Sequence, residues 1–556
     1  MNSATSGRRL RSVQVMLAVL AVSLTFGLIL SVIGGGGGPA PSQQTPSTEP
    51  GRSVAPGERM PGVPETPVDE LETFDRPSEA NADRQLDYQP SGAPSVEFPD
   101  GLGSLAAYAA QDLEWRSCDE GAAACVTVLA PLDWEDPEGP AVEIALRRYE
   151  GSDGSLGPLF VNPGGPGIGG QDFAGSLVGM GWDGYDIVGW DPRGTGRSTA
   201  VQCGTIDQTD AIFELDQSPD DDAEDQLLRD GHRDFAQQCR DASGPLLDHL
   251  STIENARDLD LLRHLLGAPK LDYVGVSYGT FIGAVYAQLF PGSTGRLVLD
   301  SAVDITDSDD APPQAMGFER ALTEWASWCG DTDECFLDGS AEQIKGQISD
   351  WLKRLDAEPL AVGDRKLTQT YAADGILGYL YSTDEAYPYL SEDLQAAMVD
   401  SDGEALLGVS DAMNGRSPDK YETDAFAFPA TLCADHYDEG ADPVRERWRK
   451  SFELAPTVAP NTGIAYFCAL WTADSAPTLR ITAKGAQPIL VVGTTGDSAT
   501  PYEHAQTMAE QLESGRLLTL EGAGHGAIDT ENRCLRKAID EYLLEGVLPA
   551  EGTVCS

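Results

Sequence analysis

One pentapeptide constrains the fold of this 556-residue chain more than any other feature. Gly275-Val276-Ser277-Tyr278-Gly279 stands between an apolar run, Leu271 to Val274, and a helix-like stretch, Thr280 to Phe290. A strand that turns straight into a helix holds the middle residue in strained backbone and presents its side chain clear of the sheet. Only small neighbours fit such a corner. Gly275 and Gly279 remove the Cβ atoms that would collide as strand and helix close on each other, and Gly283 and Ala284 extend the narrow surface. The chain holds 60 glycines, yet the G-x-S-x-G pattern occurs once. Ser277 is therefore the expected nucleophile, and a hydroxyl used in that way needs a base beside it.

In a serine, acid, histidine order the histidine follows a late strand. Of the six histidines, only His525 is so placed, in Gly522-Ala523-Gly524-His525-Gly526 after the strand-like Arg516 to Leu520. His232 and His264 sit in polar helical patterns, His249 in a loop, His436 beside Cys433 and His504 at a helix start. The acid is expected in the turn after the preceding strand, Pro488 to Gly493, where Asp497 stands in Thr494-Thr495-Gly496-Asp497-Ser498. Thr500 and Pro501 read as the N-cap and first residue of the next helix. In this reading His525 moves the proton of Ser277, and Asp497 fixes the imidazole tautomer and stabilises the imidazolium.

Negative charge developing on a carbonyl oxygen calls for fixed backbone donors. The N–H of Tyr278 is one. The other is assigned to Gly165, in the turn Asn162-Pro163-Gly164-Gly165-Pro166-Gly167 that follows the strand-like Pro158 to Val161. That turn carries neither the G-x-G-x-x-G nor the Walker spacing of a nucleotide loop. The chain also lacks H-E-x-x-H and paired C-x-x-C motifs, so no metal and no organic cofactor is expected.

Three segments together resemble the proline iminopeptidase-like branch of the α/β-hydrolases, and within it the secreted tripeptidyl aminopeptidases. They are Asn162 to Gly167, the decapeptide Gly189-Trp190-Asp191-Pro192-Arg193-Gly194-Thr195-Gly196-Arg197-Ser198, and Gly275 to Thr280; the Asp497 and His525 loops match as well. The likeness spans about residues 105–555. It departs where the iminopeptidase motif begins with histidine and this chain has Pro163, a change that leaves backbone donation from Gly165 untouched. The resemblance implies cleavage of short peptides near a free N-terminus. Arg193 is expected to orient loops rather than to act on substrate.

The predicted fold is α/β, an α/β-hydrolase with a mostly parallel sheet, helices on both faces and an inserted, mainly helical lid. Residues 1–33 hold an export signal or single membrane anchor, because Val13–Ile33 follows Arg8, Arg9 and Arg11 and is long enough to cross a bilayer core of ~30 Å. Residues 34–100 are rich in Gly, Pro and Ser and read as a disordered linker. Residues 101–303 and 481–556 form the two parts of the core, and 304–480 the lid. Recognition of an N-terminal ammonium calls for a carboxylate near Ser277, and the candidates are Asp304, Glu319 and Asp435.

Ten cysteines behind an export segment suggest five disulfides, and nearest-neighbour pairing gives 118–125, 203–239, 329–335, 433–468 and 534–555. A net charge of −53 disfavours nucleic acid and anionic lipid as partners. Membrane contact is expected only through the N-terminal segment, in an extracellular or cell-envelope setting. Two rival readings stand beside a peptidase: an envelope carboxylesterase or lipase using the same residues, and a binding protein on a retained scaffold.

Overall fold

The computed structural model of the protein describes residues 59–74, 83–90, 92–152, 154–306, 313–436, 438, 440–528 and 530–556. The expected export segment, Val13–Ile33, lies outside the described residues. Among those that are described, no helix is long and apolar enough to cross a membrane.

Ten strands form the main sheet: β1 (Arg116–Cys118), β2 (Ala123–Pro131), β3 (Ala141–Tyr149), β4 (Gly157–Asn162), β5 (Tyr185–Trp190), β6 (Leu271–Val276), β7 (Thr294–Asp300), β8 (Ile489–Gly496), β9 (Gly515–Ala523) and β10 (Val554–Cys555). Their order is β1-β2-β3-β5-β4-β6-β7-β8-β9-β10. The β1/β2, β2/β3 and β3/β5 pairs are antiparallel, and from β5 onward every pair is parallel. The runs Pro158 to Val161, Leu271 to Val274 and Arg516 to Leu520 lie in this sheet, as does Pro488 to Gly493 from Ile489 onward. Of the remaining strands, β1 and β10 are edge strands with too few residues to show a period. Disulfides 118–125 and 534–555 fasten those two edges.

Period-2 alternation splits the buried strand residues into two layers. Phe160, Tyr273, Leu297, Leu299 and Val491 face one layer. Leu159, Val161, Val274, Val298 and Val492 face the other. With both faces covered, the parallel strands read as near-continuous apolar runs. Helices α1 (Gly170–Ser176) and α13 (Arg533–Asp540) cover one face. Helices α2 (Asp222–Ser243), α3 (Thr252–Leu265), α4 (Tyr278–Leu289) and α12 (Tyr502–Gln511) belong to the other. This is the α/β-hydrolase architecture.

Between β7 and β8 the chain leaves the sheet to build the lid: α5 (Gln314–Asp331), α6 (Ala341–Ala357), α7 (Gln369–Leu380), α8 (Tyr387–Met398), α9 (Glu404–Met413), α10 (Asp424–Asp435) and α11 (Ala441–Ser451). Much of it has its own core, around Trp325, Trp351, Tyr371, Leu390 and Leu406. Helix α10 instead sends Ala430, Cys433 and Ala434 into the core of the catalytic domain. The Cys433–Cys468 disulfide ties it there. All five nearest-neighbour pairings are formed, which fits an exported protein.

The segment 34–100, expected as a disordered linker, needs correction in its described part. The N–H of Glu65 bonds the carbonyl of Leu289, Thr73 bridges Leu479, and Val96 enters the main core. The buried Arg84 guanidinium donates to the carbonyls of Ala473 and His436 at 2.7 and 2.8 Å. Low apolar content means only that the segment cannot build a core of its own; a few anchors suffice where a finished domain supplies the rest.

Candidate active site

The site is assembled from loops at the carboxyl ends of the parallel strands. Ser277 sits between β6 and α4 with φ 56° and ψ −126°, a left-handed backbone that an L residue adopts only under constraint. A Cβ on Gly275 would lie 2.4 Å from the carbonyl oxygen of Gly279, and one on Gly279 would lie 2.8 Å from that of Asn162. Both glycines are therefore obligatory for strand and helix to approach this closely.

Gly164 brings the turn after β4 against the same corner. A Cβ there would stand 2.9 Å from both the Cβ of Ser277 and the nitrogen of Tyr278. Asn162 holds the turn, its Oδ1 accepting the N–H of Gly164 at 2.9 Å. Among the described residues, the N–H groups of Gly165 and Tyr278 have no hydrogen-bond partner, so both are free to donate to a ligand.

His525 and Asp497 meet. Nδ1 of the imidazole lies 2.9 Å from Oδ1 and 3.1 Å from Oδ2 of Asp497, and the histidine side chain is 10% exposed. Asp497 also accepts the N–H groups of Ala499 and Thr500 at 3.0 and 2.8 Å and the Thr500 hydroxyl at 3.1 Å. Thr500 thus belongs to the acid loop rather than to the helix cap, which falls at Pro501. Burial works against charge on the imidazole, but the Asp497 carboxylate, with Asp300 behind it, more than offsets this and lifts the histidine above its ordinary value. Burial likewise opposes ionisation of Asp497, yet His525 and the donors around it hold that carboxyl below its usual range. Among the described residues no hydrogen bond joins Oγ of Ser277 to the imidazole, a contact that commonly tightens only when substrate binds.

The lid closes over these loops. Tyr381, just past α7, accepts the N–H of His525 on its carbonyl at 3.0 Å and sets its ring edge-on to the imidazole, 5.6 Å between centroids. Gly317 of α5 packs on the carbonyl of Ser498, and Gly167 packs on the backbone of α10 at Ala427 and Phe428.

The three candidate acids part company. Glu319 is buried inside the lid, where Lys345 at 3.0 Å and the N–H groups of Thr457 and Val458 at 2.9 and 2.8 Å occupy both of its oxygens. Asp304 turns back on its own loop to accept from Thr306. Asp435, half-buried at the end of α10, accepts the N–H and hydroxyl of Thr252, each at 2.7 Å, and the Tyr278 hydroxyl at 2.9 Å. Burial outweighs those hydrogen bonds and pushes its carboxyl up to about 6.

Arg193 lies wholly buried against Asp258, away from any reacting group. Among the described residues one cluster, Asp133, His249 and Glu254, has its ligand atoms close together. The Arg193 guanidinium lies 3.9 Å from Glu254 and already balances that charge. Sequence patterns read Thr500 as a helix cap and gave no sign of Asp300 or Tyr381, because their roles depend on which loops the sheet order makes neighbours.

The family described as TAP-like protein matches residues 456–555, the stretch that carries Asp497 and His525. Over 485 residues, 80% of this chain and 91% of the relative, the chain is 32% identical to serine protease Hip1 of Mycobacterium tuberculosis. It is 31% identical to tripeptidyl aminopeptidase of Streptomyces lividans over 493 residues, 82% of this chain and 89% of the relative. A third relative, carboxylesterase B of Mycobacterium tuberculosis, is 32% identical over 488 residues, 84% of this chain and 92% of the relative.

Proposed function

The chain belongs to the tripeptidyl aminopeptidase-like family of α/β-hydrolases and is a serine hydrolase, and from that premise we propose that it is an exported exopeptidase releasing short peptides from free N-termini. The observation that carries the reading is the His525–Asp497 pair, 2.9 Å apart, on loops adjoining the strained corner at Ser277.

In the proposed mechanism Oγ of Ser277 bonds to the scissile carbonyl carbon as Nε2 of His525 takes the hydroxyl proton. Asp497 holds the Nδ1–H and offsets the charge gained by the ring. The carbonyl oxygen, now anionic, receives the N–H groups of Gly165 and Tyr278. The proton passes to the amine nitrogen as the C–N bond breaks, leaving an acyl-enzyme. Water then bonds to the acyl carbon as His525 takes its proton, and the C–Oγ bond breaks as His525 returns that proton to Ser277, freeing the peptide carboxylate.

Asp435 is the acid proposed to receive the substrate ammonium, since its carboxyl bonds the hydroxyl of Tyr278, the residue next to Ser277, whereas Glu319 is held inside the lid by Lys345 and Asp304 turns back on Thr306. Chromogenic tripeptidyl amides with free and acetylated N-termini test the exopeptidase reading, and cleavage confined to the free form is expected. Equal turnover of both would defeat it. The carboxylesterase relative favours a second reading, in which acyl esters replace peptides. Turnover of simple acyl esters with none of peptide amides would establish that alternative. Anchoring at the cell envelope through Val13–Ile33 belongs to the same proposal.

The base must be neutral to take a proton, and its environment favours the charged form. Activity therefore requires a higher pH than an unperturbed histidine would. We expect kcat/KM to rise along an acid limb whose midpoint lies above the ordinary histidine value of 6.5. Asp497→Asn, which removes the charge responsible, should bring the limb of the residual activity to lower pH. A wild-type midpoint at or below the ordinary value would contradict the assignment.

A further inference from the structure

We propose that Asp300 and Ser301, the last residue of β7 and the first beyond it, are positioning residues that hold the nucleophile, acid and histidine loops in mutual register. This assignment rests on the catalytic reading given above.

Topology puts this dipeptide at the centre. β7 lies between β6, which delivers Ser277, and β8, which delivers Asp497, while β9 on the far side of β8 delivers His525. In the register of the sheet Asp300 stands beside Val276, the residue before the nucleophile, and beside Val492 of β8.

Each of the three loops is bonded to the pair. The carbonyl of Asp300 accepts the N–H of Ser277 at 2.9 Å. Its Oδ2 accepts the N–H groups of Ala527 and Ile528 at 2.7 and 2.8 Å, fixing the backbone just past His525. Oγ of Ser301 accepts the N–H of Gly526 at 2.8 Å, which secures the intervening position. On the acid side, the carbonyl of Ser301 accepts the Thr500 hydroxyl at 3.0 Å, and its N–H donates to the carbonyl of Val492 at 3.0 Å. The Ser301 hydroxyl also helps hold the Asp497 carboxyl low. Ser301 does all this at φ 52°, a left-handed backbone in a residue other than glycine.

Stability alone does not account for the carboxylate. Asp300 is wholly buried, and among the described residues no lysine or arginine pairs with it. Its Oδ1 has no hydrogen-bond partner among them either. A buried acid so placed is expensive to keep unless its charge or its grip on the loop is used. The charged or titratable groups facing the imidazole are Asp497 from the acid loop, Asp300 from β7 and the Tyr381 phenol from the lid. Burial pushes the Asp300 carboxyl up to about 7, in spite of the two N–H donors, so its charge is sensitive to changes at His525.

Three variants separate grip from charge. Asp300→Ala removes both, Asp300→Asn keeps an oxygen for the two N–H groups but loses the charge, and Ser301→Ala removes the bond to Gly526. For Asp300→Ala we expect kcat on a tripeptidyl amide to fall about 10²-fold with KM changed less than about threefold, since a misplaced base slows chemistry more than binding. Labelling of Ser277 by a fluorophosphonate should slow in parallel, and Ser301→Ala should show the same pattern more weakly. Asp300→Asn should recover most of kcat while its acid limb moves to lower pH, a shift that a purely structural role would not produce. Folded Asp300→Ala and Asp300→Asn proteins with wild-type kcat, KM and acid limb would overturn the proposal. If Asp300→Ala does not fold, Ser301→Ala decides, and wild-type kcat and labelling rate in that folded variant, which lacks the bond to Gly526, would be the overturning result. Failure of the underlying catalytic reading looks different, since Ser277→Ala would then keep its activity.

Discussion

Replacing Ser277 by alanine should lower kcat on a tripeptidyl amide by about 10⁶-fold while leaving the fold and melting behaviour intact. The motive is the corner geometry: a serine at φ 56° between β6 and α4, with glycines on both sides where any Cβ would strike backbone. Alanine removes only Oγ from that corner, so packing is preserved and the loss isolates the chemistry. His525→Ala should cost about as much, and the double variant little more than either, because nucleophile and base act as one unit. Asp497→Ala should cost less, about 10⁴-fold, since it orients and balances the imidazole without touching the substrate. Covalent labelling by a fluorophosphonate gives a second readout, expected in the wild type and absent in Ser277→Ala. Retention of either activity or labelling in Ser277→Ala would remove Ser277 from the mechanism. It would take the exopeptidase proposal with it.

How far the sequence disclosed this arrangement depends on the range over which each signal acts. The corner at Ser277 is local: a strand, a turn and a helix contiguous in the chain, with glycines required by contacts inside the same segment. The pairing of Asp497 with His525 was legible through order along the chain, which in a parallel sheet becomes adjacency of loops. Nearest-neighbour disulfides succeeded because each joins segments close in the chain, 6 to 36 residues apart. The failures have one cause in common. Glu319 looked available until α6 supplied Lys345 and the segment after α11 supplied the N–H groups of Thr457 and Val458, none of them nearby in sequence. Thr500 looked like a helix cap because two partners of its hydroxyl, the Ser301 carbonyl and the His525 ring, lie far off in the chain. The segment 34–100 looked like a disordered linker because the anchors of its described part, Leu289, Ala473 and Leu479, are distant. Local patterns report what a residue prefers, whereas these residues are committed by partners that only the finished sheet and lid bring near.

Arg193 offers the sharpest contrast between a conspicuous motif residue and a catalytic one, and its loss should be the costliest single change to stability. The side chain is wholly buried, and its donors are all used. Nε and Nη2 grip the two oxygens of Asp258, each at 2.8 Å, while the remaining N–H groups reach the carbonyls of Leu132, His249 and Pro131 at 2.8, 3.0 and 2.9 Å. Asp258 in turn accepts the Trp134 indole N–H at 3.0 Å, and the Trp134 ring covers Gly62 of the wrapped N-terminal segment. Arg193→Ala leaves a buried carboxylate and three carbonyls without this partner, and a loss of about 3–5 kcal/mol is expected in urea unfolding. Arg193→Lys restores charge but not the planar fork, so an intermediate value should follow. The pH dependence has a definite sign. Burial already raises the Asp258 carboxyl above its ordinary value, and Arg193 is the main group pulling it back. Without Arg193 the folded value rises further above the unfolded one, so the deficit should be small at low pH, where the acid is protonated, and grow as pH rises. Folded Arg193→Ala should nevertheless keep near-normal kcat. A variant that unfolds like the wild type yet has lost its kcat would reverse the assignment and make Arg193 part of the chemistry.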